Sequence, residues 1–392
     1  MPSVNLEDVG IAEYFRNFVE EVASSPLYVA LCPLLAVNHT AISVYNGARP
    51  TQRRPNLLFA AMHSSILRDP SHELAGWYAT VGGLRSPADP ALAPVLDSFL
   101  HERLAELTAL VADGATQTNE IGRSALILPA LADVYANARR PLGLVEIGTS
   151  GGLNLRLDAY RVTYTTSDEQ PDNGSVSYGP PTSSVHIRSD ASRSQEPISS
   201  AHIESIVIGS RKGSDLNPLN VHDETQSRWL RSLIWPDESQ RFQRLSEALE
   251  LAKSIPVDIV RGDAVDLVGD QIRTVPSGEH PVLLTTWVLT YLTPKHRSAF
   301  VAELDAVAHD RPFSWVCMEH PFYCSGIPWP DDVVEGWTTP KGPRTFDSHV
   351  AGNPVVVHTF NAGKRSSKWI ATAHPHGRWI NWHPNSSAAM LP

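Results

Sequence analysis

Residues Glu146 to Gly152, Glu-Ile-Gly-Thr-Ser-Gly-Gly, bring a carboxylate, a hydroxyl and several glycines together in one short stretch. The apolar run Leu144 to Ile147 leads into it, and a new apolar pattern starts at Leu153. This order predicts a buried strand that enters a tight turn and leaves it as a helix. Glycines let the backbone approach a bound molecule, and a helix N-terminus offers N–H groups to an anion. We therefore expect a ligand site at this turn.

Two phosphate-binding patterns do not fit this turn. A P-loop has a lysine followed by Ser or Thr after its last glycine, where this chain has Leu153 and Asn154. The dinucleotide fingerprint Gly-x-Gly-x-x-Gly does not match the spacing of Gly148, Gly151 and Gly152.

Three interpretations of the turn stay open. Glu146 to Gly152 reads Glu-x-Gly-x-Ser-x-Gly, which resembles the first motif of S-adenosylmethionine (SAM)-dependent methyltransferases with Ser150 at the middle glycine. Gly148 to Gly152 also spells Gly-x-Ser-x-Gly, the nucleophile elbow of serine hydrolases. The third interpretation is a glycine-rich turn of an α/β sheet that binds no ligand.

Composition limits the class of protein and of partner. The chain has 392 residues and a formal net charge of −10, which argues against a nucleic-acid or anionic membrane surface and favours small neutral or cationic substrates. No leader pattern and no apolar run of about 20 residues is present, so we expect a cytoplasmic protein without a membrane span. The cysteines Cys32, Cys317 and Cys324 make neither a disulfide framework nor a Cys-x-x-Cys zinc pair.

Helical periodicity dominates the first third of the chain, and we predict a helical N-terminal region over residues 1–140. Its helices are expected at Asn5–Ser24, Pro55–Arg68, Pro90–Val111 and Ile121–Ala136. The last of these follows a polar segment in which Asn119 or Thr118 is expected to cap the helix, with Glu120 in its first turn. A hydrolase elbow normally has several strands before its nucleophile, so this helical region weakens the hydrolase interpretation.

Residues 141–392 are predicted to form a doubly wound, mostly parallel α/β sheet. Strand patterns alternate with helical ones, and ligand sites of such sheets lie at the carboxyl ends of the strands. Two late runs, Val355–Phe360 and Lys368–Ala373, predict an antiparallel pair. The Ser-, Pro-, Asp- and Gly-rich segment from Thr166 to about Glu204 is interpreted as an insertion, a loop or a loosely ordered hairpin outside the core.

Side chains at strand ends and caps are the candidates for acid–base chemistry. His320 ends an apolar strand and is our first candidate for a general base, and Glu120 is the second. His374 and His376 share one face of a strand, but no third ligand stands at a telling spacing, so we predict no metal site.

The hydrolase interpretation needs a catalytic triad with Ser150 as nucleophile. Asp263 follows it as the acid, and the base would be one of the histidines His320, His374 or His376. Glu146 argues against this interpretation, because its charge would oppose the negative charge that develops during acyl transfer.

Several motifs together resemble domain-of-unknown-function family 2332, whose fold is assigned to the SAM-dependent methyltransferase-like group. They are Gln52 to His63, Thr118-Asn119-Glu120 with Arg123, the glycine-rich turn, Trp229-Leu230 with Trp235-Pro236-Asp237, and Ala373 to Gly377. The resemblance implies SAM as the cofactor and methyl transfer to a hydroxyl, amine or carbon nucleophile of a small molecule. A binding protein that keeps the fold without catalysis is a further alternative.

The methyltransferase resemblance also implies roles for individual residues. The turn, with Glu146, Gly148, Ser150, Gly152 and the following Asn154, would hold the methionine part of SAM. Asp263 and Ala264 resemble the Gly-Asp-Ala after the third strand, where an aspartate accepts a hydrogen bond from the adenine amino group. Trp287 takes the place of the motif that lines the substrate side. Asp215 is the candidate ribose ligand, although the sequence shows no acidic residue at a clean second-strand end.

Overall fold

The structure is a computed structural model that describes residues 6–117, 119–166, 175–194, 203–337 and 352–383. It divides into two compact units, Met1–Thr118 with Asn220–Leu249 and Asn119–Leu219 with Glu250–Pro392. The division into a helical region 1–140 and a sheet domain 141–392 stays a prediction.

The first unit is helical, and helix α4 lies in its core. Pro55 is the first residue of α4, where its missing N–H removes no helical hydrogen bond, and the following residues are buried almost without interruption up to Ile66. The α-helices here are α1 (Leu6–Asn17), α2 (Pro26–Leu35), α3 (His39–Asn46), α4 (Pro55–Arg68), α5 (Leu92–Glu102), α6 (Leu104–Asp113), α8 (Glu224–Ser232) and most of α9 (Ser239–Ala252). Short 3₁₀ helices span Pro50–Gln52, Glu73–Trp77 and Ala79–Val81.

The second unit is built on an eight-stranded sheet in the order β11-β10-β9-β8-β7-β1-β5-β6. The strands of this unit are β1 (Leu142–Ile147), β2 (Arg161–Thr165), β3 (Ser175–Tyr178), β4 (His186–Asp190), β5 (Ile208–Asp215), β6 (Asp258–Arg261), β7 (His280–Thr286), β8 (Phe313–Met318), β9 (Asn353–Asn361), β10 (Lys364–Ala373) and β11 (Ile380–Trp382). Its α-helices are α7 (Ser124–Ala138), α10 (Ala264–Arg273), α11 (Pro294–Asp310) and α12 (Asp331–Trp337). Short 3₁₀ helices span Ile121–Arg123, Asn154–Ala159 and Leu289–Tyr291.

Strand β1 is the point at which the order of the sheet reverses. It pairs in parallel with β5 on one side and β7 on the other, and β6 and β8 extend the two halves in parallel. Open α/β sheets bind ligands at the carboxyl ends of their strands beside such a reversal. Strands β9, β10 and β11 follow β8 as antiparallel neighbours. The mostly parallel sheet and its late antiparallel pair are therefore confirmed.

Two predictions differ in detail from the structure. The segment Thr166–Glu204, for which a loosely ordered hairpin was one interpretation, contains the strands β3 and β4, which flank β2 in a separate three-stranded sheet. Its exposed positions carry polar side chains, which masked the buried Tyr178 and Ile187 in the pattern. The helix predicted over Pro90–Val111 is two helices, α5 and α6. The expected capping residues Asn5 and Thr118 lie outside the described residues.

Among the described residues, no single helix is long and apolar enough to cross a membrane. The consecutive helices α2 and α3 pass that test only as a pair bent by 96°.

Tyr164 supports helix α7 at a position where a proline interrupts its hydrogen bonds. Pro129 lies inside α7 and has no N–H to donate to the carbonyl of Ala125, one turn earlier. The buried Tyr164 hydroxyl donates to that carbonyl at 2.6 Å. The small sheet is thereby fixed to the helix that precedes β1.

We expect Tyr164→Phe to lower the free energy of unfolding by about 1–3 kcal/mol, because a buried carbonyl then lacks a donor. In a Pro129→Ala background the helix supplies its own N–H to Ala125, so the same change is expected to cost less than about 1 kcal/mol. Urea unfolding of the four proteins measures the difference. Equal losses in both backgrounds would contradict this account of the bond.

Candidate functional site

The glycine-rich turn after β1 has three left-handed residues. Gly148, Ser150 and Gly152 have φ angles of 73°, 52° and 68°. Glycine adopts this region without strain, whereas a serine there is uncommon. A Cβ at Gly148 would lie 2.4 Å from Cγ2 of Val288, so only glycine lets the loops after β1 and β7 touch. The turn therefore lies directly beside the reversal point of the sheet.

Four N–H groups of this turn, those of Gly148, Thr149, Ser150 and Gly152, are hydrogen-bonded within the protein. The Ser214 carbonyl accepts from Gly148 N and Thr149 N at 2.8 and 3.1 Å. The Asp215 carboxylate accepts from Ser150 N at 2.9 Å, and the Thr149 carbonyl accepts from the N–H of Gly152 at 2.7 Å. These donors are therefore not directed at a ligand, contrary to the expectation that the turn backbone holds one.

The carbonyls of the turn are held by the buried guanidinium of Arg156. Its Nη1 donates to the carbonyls of Gly151 and Gly152 at 3.1 and 2.8 Å, and its Nε donates to Ile255 O at 2.8 Å. Arg156 belongs to a six-residue 3₁₀ helix, Asn154–Ala159, which stands where an α-helix was predicted. The α-helical N-terminus that was expected to attract an anion is absent at this position of the described chain.

The Glu146 carboxylate lies under the turn and holds its shape. It is 2% exposed and accepts from Thr149 Oγ1 at 2.5 Å and Asn154 Nδ2 at 3.1 Å. Burial raises the pKa of Glu146 to about 7, since desolvation outweighs these two hydrogen bonds and the attraction of Arg123. Glu146 and Asn154 are thus joined to each other as parts of the turn.

Two further candidate carboxylates stand at the ends of the next two strands. Asp215 is the last residue of β5, and its second oxygen accepts from Asn217 N at 2.8 Å. The sequence pattern predicts a strand only over Ser205–Gly209, whereas the observed β5 continues to Asp215 and places this aspartate at a strand end. Asp263 follows β6 and caps α10 by accepting from Val265 N at 2.8 Å, with Ala264 as the first helical residue. Since β1, β5 and β6 are adjacent parallel strands, these groups share one edge of the sheet.

The loops after β7 and β8 form the other side of this edge. Trp287 directly follows β7 with a φ of 58° and is half-buried. Glu319 directly follows β8 and accepts from the N–H groups of Val288 and Leu289 at 3.0 and 3.2 Å. Burial raises the pKa of Glu319 to about 7 despite these two donors. The carboxyl therefore fixes the loop that carries Trp287.

His320 is buried beside Trp287, with ring centroids 6.1 Å apart. Burial lowers its pKa to about 4, so the ring is neutral at physiological pH. Its Nδ1 accepts from Phe322 N at 3.2 Å, which assigns the ring proton to Nε2. Glu120, the second candidate base, is also buried and accepts from Gly122 N at 2.9 Å, capping the 3₁₀ turn there.

The buried Arg123 connects three parts of the site. Its Nε donates to Pro375 O and its Nη1 to Thr286 O, both at 3.0 Å. Its charge lowers the pKa of both Glu146 and Glu319, against the larger effect of burial. Arg123 therefore balances the two buried carboxyls at the sheet edge.

The histidine pair lies in the turn that Arg123 holds. His374 Nδ1 accepts from the N–H of His376 at 3.0 Å, and the two rings are 5.5 Å apart. In the part of the chain that the structure describes, no three His, Cys, Asp or Glu side chains form a group that could hold a metal ion.

Two buried polar atoms at the turn have no hydrogen-bond partner among the described residues, Asn119 Oδ1 and Ser150 Oγ. Asn119 donates from Nδ2 to Thr149 O at 2.7 Å, so it holds the turn and does not cap the helix as predicted. A serine nucleophile needs a base at about 2.6–3.2 Å. Within the described ranges no histidine provides such a base to Ser150.

Sequence reasoning missed Arg156 and gave Asn119, Arg123 and Glu319 no role at the site. Glu319 could have been found, since it is an acidic residue at the end of an apolar strand next to His320. Asn119 and Arg123 were noted only as part of a motif. Their contacts join segments far apart in the chain, for which a single sequence gives no signal.

Glu319→Gln tests the raised pKa of the carboxyl at the end of β8. The pKa of Glu319 is about 7 in the folded protein, above the ordinary 4.5 of a glutamate, so the folded state binds this proton more tightly. Its stabilisation is complete below pH 4.5 and is lost as the pH rises through 7. From pH 5 to 8, we expect wild type to lose about 2–3 kcal/mol relative to Glu319→Gln in urea unfolding.

The matched control for this titration is Glu250→Gln, at a glutamate whose side chain is 63% exposed. Its stability difference from wild type should change by less than about 0.5 kcal/mol over the same pH range. Parallel stability curves for wild type and Glu319→Gln would show that the carboxyl does not titrate as described.

Comparison with known proteins assigns the chain to a family. A family model described as an uncharacterized protein conserved in bacteria, DUF2332, matches residues 12–382. No curated protein and no solved structure matches the chain. Since the matched segment covers nearly all of the sequence, the chain belongs to domain-of-unknown-function family 2332.

Proposed function

We propose that the second unit binds SAM at the carboxyl edge of β1, β5, β6 and β7 and transfers its methyl group to a small molecule. The observation that carries the proposal is Asp215 at the end of β5, whose carboxylate accepts from Ser150 N at 2.9 Å. The methyltransferase resemblance requires an acidic residue at the end of the second strand, beside the glycine turn, to bind the ribose. The sequence alone did not show such a residue at a clean strand end.

The topology of the sheet supports the same proposal. The strands run β6-β5-β1-β7-β8, which is the doubly wound order with β1 at the centre, followed by antiparallel strands. The resemblance assigns the methionine part, the ribose, the adenine and the substrate to four successive strand ends. In this sheet those positions hold the turn after β1, Asp215 at the end of β5, Asp263 after β6 and Trp287 after β7.

The residues present fit SAM in charge as well as in position. SAM carries a sulfonium and an ammonium group, and the edge has the carboxylates of Glu146, Asp215 and Asp263. Burial of Ser150 Oγ and Asn119 Oδ1 without partners among the described residues also fits a ligand with hydrogen-bond donors. The site departs from the methyltransferase motif in that four N–H groups of the turn are bonded within the protein, so side chains would provide most polar contacts to SAM.

When bound, SAM supplies an electrophilic methyl group, and the protein must orient the acceptor and take up its proton. Glu319 directly follows β8, beside the loop that carries Trp287, and its pKa of about 7 suits a group that takes up a proton near neutral pH. His320, proposed from the sequence, has a pKa of about 4 and uses Nδ1 to accept from Phe322 N. We therefore propose His320 as a hydrogen-bond donor through Nε2 and Glu319 as the proton acceptor.

The serine hydrolase alternative has one observation in its favour, the positive φ of Ser150, which a nucleophile elbow also shows. The surroundings of Ser150 do not support it. The Ser150 N–H is bonded to a carboxylate, and the Glu146 carboxyl lies under the turn. An oxyanion site instead needs donors directed at the developing negative charge.

Replacing Asp263 tests the cofactor assignment. Asp263→Ser keeps an oxygen that can cap α10 and removes the carboxylate that would accept from an adenine amino group. We expect S-adenosylhomocysteine to bind about 5- to 100-fold more weakly by calorimetry, since a buried hydrogen bond is lost.

Asp223→Ser is the matched control, because Asp223 caps α8 in the first unit in the same way. It should leave the affinity unchanged within about twofold. If wild type shows neither heat nor thermal stabilisation with millimolar SAM and S-adenosylhomocysteine, the proposed function is wrong.

Ser150→Ala separates the methyltransferase and hydrolase proposals. With SAM as the ligand, loss of one hydroxyl is expected to weaken S-adenosylhomocysteine by no more than about tenfold. A hydrolase would lose several orders of magnitude of ester hydrolysis, as it does when a triad nucleophile is removed. Labelling of wild type at Ser150 by a fluorophosphonate, with no thermal stabilisation by SAM, would favour the hydrolase.

A further inference from the structure

Asn353, the first residue of β9, carries an amide of which neither atom is paired. The side chain is 3% exposed, and both Oδ1 and Nδ2 lack a hydrogen-bond partner among the described residues. Exchanging the two atoms leaves one donor and one acceptor unpaired in either case, so the orientation of the amide does not matter. Most buried polar side-chain atoms in proteins are hydrogen-bonded. An amide with two unpaired atoms therefore indicates a group that binds to it.

Asn353 lies at the edge of the sheet to which the proposed methyl transfer is assigned. Strand β9 is antiparallel to β8, so β9 begins where β8 ends. On its other side Asn353 pairs with Ala373, the last residue of β10. The turn after β10 is bound to the end of β7, because Arg123 donates both to Pro375 O and to Thr286 O. Asn353 is therefore part of the carboxyl edge of the parallel strands.

The Asn353 side chain also shares a face of the sheet with the carboxyl under the glycine turn. Side chains alternate along a strand, so Asn353 points to the side opposite to Val356, which packs in the core formed with α10 and α11. On β1, Glu146 likewise points away from that core, because its neighbour Val145 belongs to it. Asn353 and Glu146 thus lie on one face and at one edge of the sheet.

The chemistry of a primary amide selects the group that can pair with both of its polar atoms. A carboxylate only accepts hydrogen bonds and would leave Oδ1 of Asn353 unpaired. An ammonium group only donates and would leave Nδ2 unpaired. A neutral group with a donor beside an acceptor, such as a carboxamide or a lactam, pairs with both atoms, as an asparagine does with the edge of an adenine.

Exposed aromatic rings after β8 offer a surface to the rest of such a ligand. Phe322 and Tyr323 are 51% and 44% exposed, and their ring centroids lie 5.2 Å apart. The ring of Tyr323 is also 5.0 Å from that of His320, which lies beside Trp287. Contiguous exposed apolar groups mark binding surfaces, and aromatic rings stack on planar ligands. An aromatic carboxamide or lactam therefore fits this edge.

We infer that the methyl acceptor is a planar aromatic molecule with a carboxamide or lactam edge, and that Asn353 binds this edge through both atoms of its amide. The inference rests on the proposed function and extends it by naming the class of acceptor. In the transfer, a hydroxyl or amine of the acceptor bonds to the methyl carbon while the carbon–sulfur bond of SAM breaks, and the sulfur keeps the electron pair. The proton of the acceptor passes to the Glu319 carboxylate. Asn353 determines specificity and takes up no proton.

The amide probes are benzamide and 2-pyridone, and acetophenone is the reference because it has the shape of benzamide without the donor. Binding to the full-length protein is measured by saturation-transfer NMR titration, with and without S-adenosylhomocysteine. Wild type should bind at least one amide probe about tenfold more tightly than acetophenone, because acetophenone leaves Oδ1 of Asn353 unpaired.

Asn353→Asp tests the pairing itself. The aspartate has the shape of the asparagine but no donor, so it should disfavour benzamide and favour benzamidine, a cation of the same shape that donates from both nitrogens. We expect the ratio of the benzamide affinity to the benzamidine affinity to fall at least about 30-fold relative to wild type. A residue with a structural role only would not reverse this preference.

Asn353→Leu gives a second measurement if the buried aspartate does not fold. It should lose the preference for the amide probes, and its melting temperature should not fall, because no hydrogen bond among the described residues is lost. Gln271→Met is the matched control on α10, since Gln271 is 7% exposed and donates to Gly213 O at 3.0 Å. It should keep the wild-type preference and melt at least about 2 °C lower, because that carbonyl loses its donor.

The outcomes separate this inference from the proposed function. Equal binding of the amide probes and acetophenone by wild type, or an unchanged preference in both Asn353 variants, overturns the inference and leaves the proposed function standing. A melting temperature of Asn353→Leu as low as that of Gln271→Met shows that the amide is structural and also overturns the inference. If wild type does not bind S-adenosylhomocysteine but its amide preference depends on Asn353, the acceptor role fails together with the proposed function, and Asn353 remains an amide-binding residue.

Discussion

The second unit depends on one constraint, the pairing of the N–H groups of Gly148, Thr149, Ser150 and Gly152 in a turn that has three left-handed residues. Inside the turn Gly152 N donates to Thr149 O, and the other three of these N–H groups take acceptors from elsewhere in the chain. The end of β5 supplies Ser214 O and Asp215, and Asn119 and Arg156 hold the carbonyls. The strand order beside β1 and the polar segment before α7 are therefore parts of one arrangement.

Buried charge is the second determinant of this edge. Arg123 is 5% exposed, and a cation so placed is tolerated only with hydrogen bonds and nearby anions. Glu146 and Glu319 provide the anions, and each also fixes the loop at its own strand end. Their pKa values near 7 mean that protonation and loop geometry are coupled at physiological pH.

How much of this structure the sequence predicts depends on how far apart along the chain the interacting residues are. Period and turn chemistry predicted α4, the parallel strands and the hairpin of β9 and β10, because these patterns are local. Strands β3 and β4 were not predicted individually because most of their positions are polar and both strands pair with β2.

The residues of the site could be predicted only where a single short segment contains the whole motif. The glycine turn and Asp263 were recognised from local patterns, whereas Asp215 needed the true length of β5. Asn119 was assigned to the wrong partner, because a cap is the common local use of an asparagine before a helix. Its observed partner, Thr149, is 30 positions away.

The electrostatics of the turn also bear on the two enzyme classes that we propose for it. Acyl transfer at Ser150 would develop negative charge next to Glu146 and Asp215, whose carboxyls already accept the donors of the turn. Such acceptors destabilise an oxyanion and stabilise a cation. A ligand with sulfonium and ammonium groups is attracted by the same carboxyls that hold the turn closed. The contacts that give the turn its shape therefore favour a cationic cofactor over a serine nucleophile.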